Sequence, residues 1–124
     1  GRLSAHCGCV IAATGSACGI TYLMGGDYNH VCYAIKNQIA ALTGMVCDGA
    51  KPSCSLKISS AVSSACQAAL LSMDNISGSS NDGIIEQDVD KSIRNLADIG
   101  RDAMHEVDNI VLKIMVNKDN PSCE

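Results

Sequence analysis

The sequence contains no phenylalanine and no tryptophan, and its three tyrosines bring the aromatic content to only 2%. The core must therefore be built from aliphatic and small side chains. Eleven glycines and frequent alanines suit helices that pack closely together. No apolar run reaches the ~20 residues that a transmembrane helix needs. The longest such run, 10–24, is long enough only for a buried helix.

Positive charge is also scarce. Nine lysines and arginines stand against thirteen aspartates and glutamates, which gives a formal net charge of -4. The basic residues are scattered along the chain, so nothing resembles the basic patch of a nucleic-acid-binding protein. The same scatter argues against binding to an anionic membrane surface. We expect neither nucleic acid nor membrane as a partner.

The cysteine content does not indicate a secreted scaffold. Eight cysteines in 124 residues are about 6%, below the ~8–10% typical of short disulfide-rich chains. Cys18, Cys32 and Cys66 lie inside apolar helical patterns, where a reduced cysteine behaves as a small hydrophobe. We therefore expect reduced thiols and a cytoplasmic location.

The periodicity of apolar residues predicts an all-α fold, a compact bundle of about five helices with a central apolar helix. Gly15 and Gly19 share one face of that helix and predict close contact with another backbone. Asp27 and Asp88 are predicted N-caps. The first two predicted helices span 10–24 and 28–45. A third helix follows Cys54, and its apolar stripe is Ile58, Val62, Ala65, Cys66, Ala69 and Met73. Helical sequence then continues over 88–116, with a bend near His105.

The whole chain, 1–124, is predicted to be one domain with a flexible tail at 118–124. The sequence enters an apolar helix almost at once, without a leader or a start methionine. This predicts a piece of a longer protein whose missing N-terminal region would be a partner. The oligomeric state is left open, and a homo-oligomer is allowed.

Four cysteines lie at predicted helix boundaries instead of inside helices. Cys7 and Cys9, in "HCGC", precede the first helix, Cys47 follows the second, and Cys54 precedes the third. A helix N-terminus favours the thiolate form, which is the form that binds metal. Six residues separate Cys47 from Cys54, more than the two to four usual for zinc. Iron–sulfur ligands tolerate more varied spacings, so spacing alone leaves a metal site and structural cysteines both open.

Four stretches carry a resemblance that covers residues 3–118. They are "CGCVIAATGSACGITYLMGG", "AIKNQIAALTGMVCDGAKPSCSLKISSA", "DGIIEQDVDKSIRNLADIGRDAM" and "VDNIVLKIM". Together they resemble the C-terminal part of iron–sulfur L-serine dehydratase α-chain-like proteins. The closer match is the subgroup that includes L-cysteine desulfidase.

The resemblance implies a 4Fe–4S cluster held by three cysteines, with the fourth iron open to substrate. By motif, two ligands correspond to Cys47 and Cys54. The third comes from the Cys-Gly-Cys segment, with Cys7 favoured and Cys9 as the alternative. The implied reaction is a deaminating β-elimination of L-serine or L-cysteine without pyridoxal phosphate. The catalytic base would lie upstream of this chain.

Other polar residues near these cysteines have weaker assignments. Lys51 is a candidate to contact a substrate carboxylate or to balance the charge of a cluster. Asp48 is expected to orient the loop through an Asx turn, and Asn37 is a candidate for a supporting role behind the ligands. Cys123 resembles a near-terminal cysteine that, in bacterial serine dehydratases, folds back onto the fourth iron. The rival hypotheses are a helical interaction domain without a cluster and a zinc-stabilised helical module.

Overall fold

The structure is a computed structural model that describes residues 5–118. Within that range no β-strand is present, and the all-α bundle of five helices is confirmed. A π-helical turn separates the last two helices, where the bend was predicted. The tail prediction for 118–124 lies, apart from Lys118, outside the described residues. The helices are α1 (Gly8–Leu23), α2 (Tyr28–Leu42), α3 (Cys54–Met73), α4 (Val89–Asp98) and α5 (His105–Val116), and the π-helical turn is Ile99–Ala103.

The helix ends follow local chemistry. The Asp27 carboxylate accepts a hydrogen bond from the His30 amide, and the Asp27 amide donates in turn to the His30 ring, so the predicted cap of α2 is confirmed. Asp88 caps α4 by accepting from the Asp90 amide. Gly25, at φ +87°, follows α1 in a conformation that favours glycine.

Helix α2 ends at Leu42, three residues before the predicted end at Met45. Thr43 and Gly44 form a turn instead, and Met45 follows outside the helix. This early stop matters for the site below, because it leaves the backbone groups of residues 45–47 available to pair with another segment.

Helices α1, α2 and α3 pack against one another, and α4 packs on α2. Their shared core confirms the expected aliphatic, small-residue interior, since alanine fills most positions and no aromatic side chain is buried among residues 5–118. Lys36 is only 9% exposed, and its ammonium donates a hydrogen bond to the Gln87 carbonyl. This bond joins α2 to the segment before α4. The core cluster is Val10, Ala13, Ala17, Ala34, Ile39, Leu42, Ala61, Ala65, Ala68, Ile85 and Leu96.

Helix α1 is apolar nearly all round, yet only one of its sides is covered by the described residues. Its buried positions are Val10, Ala13, Ala17 and Thr21, whereas Ile11 is 64% exposed. The predicted close contact at Gly15 and Gly19 is wrong within residues 5–118. Both glycines are exposed, and a Cβ at either would meet nothing within 4 Å.

The predicted stripe of α3 is displaced around the helix. Ile58 and Val62 are 54% and 52% exposed, and Cys66 is exposed instead of packed as a small hydrophobe. The physical reason is that alanine lets α3 approach its neighbours more closely than a larger side chain would. Ala65 and Ala69 of the predicted stripe are buried as expected, and the rest of the buried face is Ala61, Ala68 and Ser72.

Two observations concern the whole described range. No disulfide joins the seven cysteines within residues 5–118. None of the helices found there has the length and apolar character required to span a lipid bilayer.

Candidate metal centre

A single antiparallel bridge between His6 and Val46 brings the "HCGC" segment against the cysteine loop. The Cys7 amide donates to the Met45 carbonyl at 3.0 Å, and the Cys47 amide donates to the Ala5 carbonyl at 2.7 Å. Two segments forty residues apart in sequence are thus held by two backbone hydrogen bonds. Sequence periodicity gave no sign of this bridge.

The bridge determines where two candidate ligands point. Side chains alternate between the faces of paired extended segments, so Cys7 and Cys47 share one face while His6 and Val46 share the other. Cys7 and Cys47 are diagonal neighbours across the pair, and such neighbours lie about 7–8 Å apart. Both thiols are partly accessible to solvent. The bridge therefore presents two thiols on one partly open face.

Cys54 is the first residue of α3. Its thiol donates to the Gly49 carbonyl at 3.4 Å, so the loop curls back over the start of the helix. Cys54 is also partly accessible.

Cys9 lies in the first turn of α1, with its sulfur 3.2 Å from the Cys7 sulfur and 3.2 Å from Met45 Sδ. Burial, with the hydrogen bond to Cys7 and the nearby Cys7 charge, raises the pKa of the Cys9 thiol to about 11. At neutral pH this thiol is therefore protonated.

Positive charge reaches the site from Lys57, one helical turn after Cys54. Its ammonium donates to the Val46 carbonyl at 2.7 Å and forms an ion pair with Asp48. The pKa of Lys57 is raised, first by the hydrogen bond to Asp48 and also by the thiols of Cys7 and Cys47. The sequence analysis did not single out Lys57. Its place three residues after Cys54, on the same side of α3, was the available signal.

Asp48 lies between two lysines and does not form the expected Asx turn. Its carboxylate forms ion pairs with Lys51 and Lys57, and the hydrogen bonds from these lysines hold the pKa of Asp48 well below its usual range. Lys51 is one-third exposed. It borders a cavity of about 380 Å³ between the loop and α5, which Val111, Ile114, Met115 and Lys118 also line.

Gly49 allows the loop to pass under α5. Its φ is +99°, and a Cβ there would lie 2.6 Å from Met115 Cε. A side chain at Gly49 would therefore meet both an unfavourable backbone conformation and the end of Met115.

Asn37 does not support the ligands. Its amide nitrogen donates to the carbonyls of Ala68 and Ile76, and its oxygen accepts from the Gly78 amide. These bonds fasten the segment after α3, so the expectation of a role behind the cysteines is wrong. Cys123 lies outside the described residues.

Within residues 5–118, no group of three or more His, Cys, Asp or Glu side chains is arranged to hold a metal ion. A zinc site needs four ligands around one atom. A 4Fe–4S cluster is larger than a single zinc ion, so the thiolates that bind it lie farther apart than the ligands of zinc. Cys7, Cys47 and Cys54 are partly accessible thiols, which are donors of the type that such a cluster takes.

These features define an all-α domain with cysteines from three chain segments around one charged loop. The model of the serine dehydratase alpha chain family matches residues 1–113, and the chain belongs to that family. This confirms the resemblance read from the sequence.

Curated relatives agree with this assignment. The chain is 60% identical over 118 residues to a UPF0597 protein of Bacteroides thetaiotaomicron and 62% identical over 118 residues to one of Phocaeicola vulgatus. A UPF0597 protein of Clostridium perfringens is 46% identical over 119 residues. Each match covers 95% of this chain but only 27–28% of the relative. The chain thus spans little more than a quarter of these relatives, whose names specify no reaction. No solved structure matches the chain.

Proposed function

We propose that this chain is the cluster-binding part of an iron–sulfur-dependent amino-acid lyase of the cytoplasm. Cys7, Cys47 and Cys54 would hold a 4Fe–4S cluster, with Cys9 as the alternative to Cys7. The observation that carries the proposal is the His6–Val46 bridge, because it turns Cys7 and Cys47 to the same face. When bound, the cluster would supply an open iron as a Lewis acid toward the substrate's carboxylate and β-substituent.

The substrate class is a small amino acid with a β-leaving group, L-serine or L-cysteine. Loss of the α-proton and of the β-substituent leaves an aminoacrylate, with water released from serine or sulfide from cysteine. Hydrolysis of its imine tautomer then yields pyruvate and ammonia. The ammonium group of Lys51, at the edge of the 380 Å³ cavity, would attract the substrate carboxylate. Its ion pair with Asp48 supports the competing role of balancing charge.

The catalytic base and most of the substrate pocket would come from the rest of the full-length protein. The curated relatives extend well beyond the aligned region, and this chain carries exposed apolar surface on α1 and α3. Contiguous exposed apolar surface marks an interaction site. The side of α1 that carries Ile11, Gly15 and Gly19 would pack against that remaining region, so this part is proposed to be inactive alone. Contact with a second copy in a homo-oligomer is the competing arrangement.

Anaerobic reconstitution with iron and sulfide tests the cluster. The expected result is a brown protein with broad visible absorbance and about four irons per chain, as the cluster formula requires. Cys47→Ser and Cys54→Ser should each abolish the absorbance. Cys7→Ser should abolish it and Cys9→Ser should retain it if Cys7 is the third ligand. Cys66→Ser is the matched control, because Cys66 is exposed on α3 and outside the site.

The same preparations separate the alternatives. Stoichiometric zinc binding that depends on Cys47 and Cys54, without cluster absorbance, would favour a zinc-stabilised module. A folded helical protein that takes up neither metal would favour an interaction domain without a cluster.

A further inference from the structure

Lys57 connects α3 to the Val46 side of the His6–Val46 bridge. Its ammonium donates to the Val46 carbonyl at 2.7 Å, at the bridged residue itself. Val46 directly precedes Cys47, and its bridge partner His6 directly precedes Cys7. One side chain therefore contacts the bridge at the point from which both candidate ligands extend.

The charge of Lys57 also acts on the thiols of the bridge. Interaction with Cys7 and Cys47 contributes to the raised pKa of Lys57, after the hydrogen bond to Asp48. Asp48 is its ion-pair partner and also pairs with Lys51, so this trio has a formal net charge of +1. The lysine side chain is 24% exposed. An ammonium group that is shielded to this degree attracts nearby negative charge more strongly than a fully solvated one.

We propose that Lys57 is a positioning residue that clamps the His6–Val46 bridge and supplies the positive charge that offsets thiolate ligands on that bridge. The clamp follows from the contacts of Lys57 alone, whereas the charge-balancing role rests on the proposed function. Lys51 serves as a control for Lys57. It shares Asp48 with Lys57, whereas the hydrogen bond to the Val46 carbonyl comes from Lys57.

The clamp is tested without any metal, by hydrogen exchange at the two amides that form the bridge, those of Cys7 and Cys47. Lys57→Met should speed exchange at both about tenfold, which corresponds to ~1.4 kcal/mol. Lys57→Arg, which keeps charge and donors, should stay within about twofold of wild type. Lys51→Met should leave both amides unchanged. Amides of α2 report whether the fold as a whole has loosened.

The charge role is tested on the reconstituted protein by the rate at which a chelator removes iron and by the cluster's reduction potential. Lys57→Met should shorten the lifetime of the cluster about tenfold. It should also shift the potential to more negative values, because loss of a positive charge disfavours addition of an electron. Lys57→Arg should restore both, and added salt should narrow the difference between wild type and Lys57→Met.

The outcomes are distinguishable. Unchanged exchange at the Cys7 and Cys47 amides in Lys57→Met refutes the clamp, even where the cluster forms. Unchanged lifetime and potential refute the charge role. A wild-type protein that forms no cluster refutes the proposed function and with it the charge role, while the exchange experiment still decides the clamp.

Discussion

Replacement of Gly49 by alanine probes how the cysteine loop is built. Gly49 has φ +99°, outside the conformations that side chains with a Cβ favour, so the strain alone should destabilise the fold by about 1–2 kcal/mol. The added Cβ would also lie 2.6 Å from Met115 Cε. Because that atom ends a flexible side chain, moving it should add only about 1 kcal/mol. The expected total is about 2–3 kcal/mol.

Gly25→Ala is the matched control. Gly25 has φ +87°, close to that of Gly49, but a Cβ there would meet nothing within 4 Å. It should therefore show the strain alone, about 1–2 kcal/mol. In the double variant Gly49→Ala with Met115→Ala, the destabilisation caused by Gly49→Ala should fall toward the value for Gly25→Ala. Urea denaturation followed by circular dichroism measures each variant against its parent, which is wild type for the two glycine variants and Met115→Ala for the double variant.

The two glycine variants should also differ at the site. The Gly49 carbonyl accepts the hydrogen bond from Cys54, so a shift of the loop moves that thiol, whereas Gly25 lies at the end of α1 away from the loop. Iron retention after reconstitution should therefore fall in Gly49→Ala and persist in Gly25→Ala. Equal stability of Gly49→Ala and wild type would refute the reasoning about strain. Equal iron retention in the two variants would refute the link from Gly49 to Cys54.

Two further predictions concern the scaffold. Asn37→Ala removes three hydrogen bonds that hold the segment after α3, and should destabilise the protein by about 1–3 kcal/mol in urea without changing iron content; loss of iron in a folded variant would contradict this. Asp27→Asn keeps a capping side chain but removes its charge. The hydrogen bond from the His30 amide lowers the pKa of Asp27, so the charge stabilises the fold above the unfolded pKa of about 3.9, and this is lost as pH falls through the folded value. The difference in melting temperature between wild type and Asp27→Asn should therefore be constant near neutrality and become smaller in acid. A difference that becomes larger in acid would contradict the stabilising role of the Asp27 charge.

The secondary structure was predictable because its signals are local. Asp27 and Asp88 act as caps at the predicted positions, and the break before α5 occurs where the periodicity changed. Which face of α3 carries the buried residues was not fully predictable from the same pattern. Ile58 and Val62 are larger and more apolar than Ala61 and Ala68, so hydrophobicity alone favours the wrong face. Close packing of three helices selects the alanines instead.

The sequence shows the candidate donor residues, but it does not show how the fold brings their segments together. Cys54 begins α3, as the sequence predicts, whereas Cys47 lies in the loop five residues beyond the end of α2. The bridge that aligns Cys7 with Cys47 involves one residue pair, which leaves no alternating pattern to read. The contacts of Lys57 join α3 to a loop nine residues earlier, and its place three residues after Cys54 does not by itself predict them.

One explanation accounts both for the exposed apolar surface of α1 and for the wrong prediction of close helix contact at Gly15 and Gly19. Apolar periodicity records that a face is buried in the working protein, but it does not say which part of the protein covers it. On α1 the face with Val10 and Ala17 is covered by α2 and α3, while the side with Ile11 and both glycines is not covered by residues 5–118. Since the curated relatives are more than three times longer than the aligned region, an apolar helix with one bare side is what a part of such a protein should display. We therefore expect the region that the relatives have beyond this segment to cover the exposed side of α1.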